Sequence, residues 1–167
     1  MAPFSRCPYH RNMPQVDTDR LIWIVTGVQL NAELGDRPLA YRVEKEVRKL
    51  LRKALGPKPK GQPPRLSPVV VSDVFYLNSE DVKGRPVISI GGPGMNALSA
   101  MLASELPTAA AIEETLVVQM DMEMEDLRCA VWGMSHLDTI RAVELFISKG
   151  YLEAFINGAV TASQAEE

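Results

Sequence analysis

The ten residues LIWIVTGVQL, Leu21 to Leu30, constrain the fold more than any other part of the chain. They form a nearly unbroken run of β-branched, aliphatic and aromatic side chains, with no polar alternation. Such a run suits a strand covered on both faces. A sheet covered on both faces needs a helical layer on each side. The next regular segment, Arg37 to Leu55, supplies one: Leu39, Val43, Val47, Leu50 and Ala54 recur at three- and four-residue steps and define an apolar face. Arg42, Lys45, Lys49, Arg52 and Lys53 fall on the other face. Asn31 to Asp36 reads as a loop, with Asp36 as N-cap and Pro38 in the first helical turn. Gly56-Pro57 ends the helix and GPKPKGQPPR continues as a loop.

The pattern then repeats. Residues 67–78 (SPVVVSDVFYLN) predict a second strand and 86–90 (PVISI) a third. Asn78 to Arg85 is short for a parallel crossover, which favours an antiparallel hairpin between these two strands. A small-residue helix is expected over 97–106, closed by Pro107 and apolar nearly all round, hence buried. Residues 112–122 and 129–132 predict a fourth and a fifth strand joined by an acidic turn. A last helix covers 135–156, with Ile140, Val143, Ile147 and Tyr151 on one stripe and Gly150 as the place where it bends or splits. The expected organisation is an irregular arm over 1–19, one α/β domain over 20–156 and a frayed tail over 157–167. The fold class is a three-layer α/β domain with a mixed, mostly parallel sheet of about five strands.

Composition narrows the function classes. A chain of 167 residues suits one hydrophobic core, and 46% hydrophobic with 23% charged residues is ordinary for a globular protein. A net charge of −3 argues against a nucleic-acid partner, which calls for a basic domain. No stretch approaches the roughly 20 apolar residues of a membrane span, and Met1 to Asp19, broken by Pro3, Pro8 and Pro14, lacks the apolar core of a secretory signal. A cytoplasmic, soluble protein with Cys7 and Cys129 reduced is the expectation.

In an open α/β sheet the ligand crevice lies beyond the carboxyl ends of the strands, where strand order reverses. Four turns occupy such ends: Thr26 to Asp36, Ser72-Asp73, GGPGMN at 91–96, and Gly133 to Thr139. Gly91, Gly92 and Gly94 permit positive φ and close approach, and the helix that follows offers amino-terminal N–H groups to a phosphate or carboxylate. The pattern is neither GxGxxG nor a P-loop. A tight strand-to-helix turn explains the same glycines without a ligand, and Asn96 fits either a cap or a ligand contact. Ser135, His136 and Thr139 likewise serve as helix caps or as groups on the same rim, with Asp138 complementing the helix dipole.

Two further chemistries can be assembled. His136 as base, Asp73 as its orienter and Ser72, Ser89 or Thr139 as nucleophile would make a hydrolase-type enzyme, although no G-x-S-x-G elbow is present. Cys7, His10, Cys129 and His136 would make a zinc site, Cys7-x-x-His10 having ligand spacing; Cys129 as a small buried hydrophobe is the favoured reading, and no metal is expected. Charge is uneven: Arg37 to Arg65 holds ten Lys/Arg against Glu44 and Glu46, whereas Glu113, Glu114, Asp121, Glu123, Glu125 and Asp126 lie in a stretch free of Lys and Arg. Solvated faces or self-association through complementary patches both account for this.

Two segments resemble a known family. VISIGGPGMNALSAML (87–102) is similar to the strand, Gly-Gly-Pro, x-x-Asn signature of archaeal S-layer proteins, and CAVWGMSHLDTIRAVELF (129–146) to the later helix start of the same domain. Gly91, Gly92, Pro93, Asn96, Asp138, Thr139 and Ala142 occupy matching positions, in matching order. The resemblance implies a Rossmann-like fold with both motifs at one sheet edge. It implies no lattice-building activity, which belongs to a whole S-layer protein. The expected function is a module that holds a small anionic ligand or nucleotide at Thr26, Gly91, Gly92, Gly94, Asn96, Ser135 and Thr139, with the cofactor unknown. The second reading is an interaction or assembly domain, a homo-oligomer included.

Overall fold

The computed structural model describes residues 16–57, 60–62 and 65–165. Six strands form one sheet: β1 (Leu21–Thr26), β2 (Ser67–Ser72), β3 (Val87–Ile90), β4 (Thr108–Ile112), β5 (Leu116–Met120) and β6 (Arg128–Gly133). Their order is β2-β1-β3-β6-β5-β4. The first four of that order run parallel, and β5 and β4 close the sheet antiparallel. The helices are α1 (Leu30–Leu55), α2 (Asp73–Leu77), α3 (Ala97–Leu102), α4 (His136–Ser148) and α5 (Tyr151–Ala165). The sheet is mixed and mostly parallel, as the sequence predicts, with one strand more.

Strand alternation sorts the core into two layers. Ile22 and Ile24 of β1, Ile88 and Ile90 of β3, and Cys129 and Val131 of β6 face α1, α4 and α5. Trp23 and Val25, Val87 and Ala130 face α2 and α3, against Tyr76, Leu98 and Leu102. Continuous apolarity in β1 is therefore the signature of burial on both faces, and all of Ile22 to Thr26 is buried.

Several expected boundaries move. The loop expected at Asn31 to Asp36 is helix: α1 starts at Leu30 and Pro38 lies inside it. The apolar face continues backward through Asp36 and Ala32, in step with Leu39 and Val43. Pro38 removes the N–H that would bond to Leu34, and both residues are exposed, so water can serve that carbonyl. Asp36 is thus no N-cap. At the far end Leu51, not Ala54, completes the buried face.

The hairpin expected between the second and third strands is also overturned. Both strands pair with β1, in parallel, on its two sides. β2 stops at Ser72 because the Ser72 hydroxyl accepts the Phe75 N–H at 3.2 Å and starts α2. This early stop lengthens the crossover, which then runs from Asp73 to Pro86. β4, rich in alanine, pairs as the edge strand through Ile112↔Leu116, so the strand expected over 112–122 is β5 with the end of β4 attached. Gly150, at φ +83°, separates α4 from α5, and the expected frayed tail over 157–167 is helical to Ala165, with Ala159 and Val160 buried. Among the described residues no helix is long and apolar enough to cross a membrane.

Candidate functional site

Strand order reverses between β1 and β3. The chain moves outward from β1 through α1 to β2, then crosses back to β3 on the other side of β1. β3 and β6 are parallel neighbours, so GGPG after β3 and the start of α4 after β6 meet at one edge. Between them and the first turns of α1 opens a cleft of about 780 Å³. Asn31, Leu34, Gly35 and Asp36 form one wall, Gly92 to Met95 another, and Trp132 to His136 with Thr139 the third. Its size and largely apolar lining with a few polar groups match a small-molecule site.

The seven ligand residues named from the sequence separate into two sets. Gly92, Gly94, Ser135 and Thr139 line the cleft, whereas Thr26, Gly91 and Asn96 lie behind its wall. Asn96 is consumed by the fold. Its Nδ2 donates to the carbonyls of Val25 (3.1 Å) and Ile90 (2.9 Å), and its Oδ1 accepts the Leu98 and Ser99 N–H groups at 3.0 and 3.3 Å. One buried amide thus ties the ends of β1 and β3 to the start of α3. Asp73 completes that cap, its Oδ2 accepting the Ala97 N–H at 2.9 Å and its Oδ1 the Val74 N–H at 2.8 Å. The amino end of α3, expected to offer open N–H groups to an anion, is already closed by carboxylate and amide oxygens. The same two bonds hold Asp73 away from the role of orienter for His136. Ser89 is buried against Ser99, Oγ to Oγ at 2.8 Å, and Ser72 caps α2, so neither is a nucleophile in the cleft.

Thr139 takes the Gly133 N–H at 3.1 Å and donates to the Ser135 carbonyl at 3.1 Å. Ser135 accepts the Asp138 N–H at 3.1 Å and donates to Asp138 Oδ2 at 2.6 Å. These bonds build the first turn of α4. Gly133 is needed there because a Cβ would strike the backbone at Asp138 and Thr139. The Thr26 hydroxyl is buried without a hydrogen-bond partner among the described residues. Of the zinc candidates, Cys129 is enclosed in the core, where burial pushes its thiol well above the ordinary value; Cys7 and His10 lie outside the described residues. Asp138 receives Arg141 at 3.4 Å, and Ala142 is packed in the core beneath α4.

Two amino ends remain open at the cleft. Gln29 gives α1 no side-chain cap, and the N–H groups of Leu30, Asn31 and Ala32 have no partner among the described residues. The same holds for His136 and Leu137 in α4 and for Gly92 and Gly94. Both helices exceed three turns, so each contributes positive potential at its start. The His136 side chain, 56% exposed, stands at this rim.

Asp36, read from the sequence as an N-cap, is the carboxyl at the cleft. It is 7% exposed, yet it lines the cleft. Its Oδ1 lies 4.0 Å from His136 Nδ1, too far for a hydrogen bond. Burial raises its carboxyl above the ordinary value, against a smaller opposing pull from His136. Two glycines clear the space for this pair. At Gly91, φ +105°, a Cβ would collide with the Asp36 carboxyl, and at Gly35 it would come within 2.9 Å of His136 Nδ1. A glycine inside a helix costs about 1 kcal/mol relative to alanine; at Gly35 it leaves room for an imidazole. The available signal was the helical step from Ala32 through Asp36 to Leu39 and Ala40.

The basic face of α1 is largely paired. Arg37 binds Glu33 at 2.6 Å, Arg48 binds Glu44 at 2.6 Å, Lys49 binds Glu46 at 2.7 Å and Lys53 reaches Glu153 of α5 at 2.8 Å. No family model and no curated protein matches the chain.

Proposed function

We propose that this protein binds a small anionic molecule, of nucleotide or sugar-phosphate size, in the cleft at the carboxyl ends of β1, β3 and β6. The observation that carries the proposal is the convergence of two helix starts that keep unpaired N–H groups, α1 at Leu30 and α4 at His136, on one cleft of about 780 Å³. Their free N–H groups and the half-exposed imidazole supply positive potential, while Leu34, Pro93, Met95, Trp132 and Met134 supply apolar contact. The glycine turn contributes close backbone approach at Gly92 and Gly94, whereas Asn96 and Thr26 support the wall from behind. The S-layer likeness bears on fold in this proposal and not on the ligand.

Ligand binding to the folded state raises its melting temperature. A panel of nucleotides, sugar phosphates and inorganic phosphate should therefore contain compounds that stabilise the protein, by about 2.7 kcal/mol at a hundredfold excess over Kd. His136→Ala should abolish most of that gain. A flat response across the panel would remove the proposal.

A second reading, an assembly surface, rests on the exposed apolar residues at the same end. Leu30 and Leu34 of α1 and Met134 just before α4 are all more than 70% exposed, and patches of that kind mark contact surfaces. Concentration-dependent light scattering that Leu34→Ser abolishes would favour it.

A further inference from the structure

We infer that the molecule held in this cleft is a phosphorylated polyol, of the sugar-phosphate class, and that Asp36 accepts its hydroxyl hydrogens. The inference rests on the anion-binding reading above and adds the second half of the ligand. The first observation is an exception to a pattern. Most buried polar side chains around the cleft are bonded within the protein: Asn96 four times, Asp73 twice, Thr139 twice, Ser89 to Ser99, while the unpaired Thr26 hydroxyl is sealed behind the wall. Asp36 is more than nine-tenths buried, lines the cleft, and receives no hydrogen bond from any described residue. Unlike the sealed Thr26 hydroxyl, the Asp36 carboxyl opens on the cleft and keeps its acceptor capacity for a group that enters it.

The second observation is that the surroundings keep Asp36 where it is. Gly91 on one side and Gly35 on the other vacate the volume that Asp36 and His136 occupy. At Gly91 this requires a backbone conformation that few side chains adopt. The carboxyl therefore faces the cavity by construction, with the α4 start and His136 beside it.

The chemistry selects the donor. An ammonium donor would bring positive charge against the positive starts of α1 and α4, so it is a poor match. Its charge would also meet His136 whenever the imidazole is protonated. A hydroxyl bonds to both forms, donating to the carboxylate or accepting from the acid. The anionic end belongs at the α1 and α4 starts, and the hydroxyls reach Asp36. A bare phosphate would leave most of a cleft this size empty.

Isothermal titration of the full chain with ribose 5-phosphate and with inorganic phosphate tests this. The wild type should bind ribose 5-phosphate at least about tenfold more tightly than phosphate, the size of one hydrogen bond to a charged group. Asp36→Leu should erase that margin, ribose 5-phosphate then binding no more tightly than phosphate. Should Asp36→Leu fail to fold, Asp36→Asn keeps the shape and should narrow the margin. Equal binding of the two compounds by the wild type, or a margin that survives both substitutions, overturns the inference while the anion reading stands. Binding of neither compound overturns both.

Discussion

Asp36 and Asn96 show how differently two buried polar residues can be used. Asn96 spends its whole hydrogen-bonding capacity on the fold. Asn96→Ala orphans the carbonyls of Val25 and Ile90 and uncaps α3, and should cost about 3 kcal/mol or more, measured by urea unfolding. Asp36 should behave in the opposite way. Its folded carboxyl holds a proton more tightly than the unfolded one, since burial raises it. Its contribution is therefore favourable below the ordinary carboxylate range and is lost as pH rises through the raised folded value. His136 stands 4.0 Å away, and its opposing pull is smaller than the effect of burial. Asp36→Asn should accordingly melt at or above the wild-type temperature near pH 7.5, with the difference shrinking towards pH 4; thermal melts across that range check it. A lower melting temperature for Asp36→Asn at neutral pH would make Asp36 a structural group.

Elements were legible where one force set them. The β1 run and the middle of α1 follow from apolar pattern alone; in α4 the expected stripe shares only Val143 with the buried face, which is Thr139, Ala142, Val143 and Phe146. Boundaries failed where a local device overrode the period. Ser72 turned a β-rich stretch into α2, and Pro38 with Gly35 disguised the first two turns of α1. That disguise also hid the site, because the missing turns carry Asn31, Leu34 and Asp36. β4 was illegible for another reason: alanines in TAAAI carry little strand signal, and pairing with β5 decides them. The turn between β4 and β5 keeps a trace of that cost. Glu113 and Glu114 sit at φ 50° and 57°, closed by the Thr115 N–H on the Ile112 carbonyl at 2.9 Å. Both central positions of such a turn favour Asn or Gly. Glu114→Gly should raise stability by about 1 kcal/mol, read from the denaturation midpoint at unchanged slope.

At the scale of the whole molecule, the topology places the cleft. Reversal of strand order at β1 and β3, and parallel β3 and β6, bring three chain segments far apart in sequence to one sheet edge. The meeting of the GGPG turn with the α4 start was inferred from strand ends alone. The third wall was expected there as a turn, Thr26 to Asp36; it is instead the start of α1, and it supplies the only carboxyl among the lining residues. The glycine corner proves to be a scaffold as much as a contact: Gly91 makes room for Asp36, and Gly92 and Gly94 face the opening. Charge does less than the sequence suggests, since much of the basic face of α1 is neutralised by its own glutamates and by α5.

The central claim is that an anion seats between the starts of α1 and α4. Amide chemical shifts recorded by two-dimensional NMR during titration with ribose 5-phosphate test it most directly. The account predicts saturable shifts concentrated at Asn31 to Asp36, Gly92 to Met95 and Ser135 to Thr139, with α2 and the β4–β5 turn unmoved. Shifts absent from those three segments, or gathered on another face of the sheet, would contradict it.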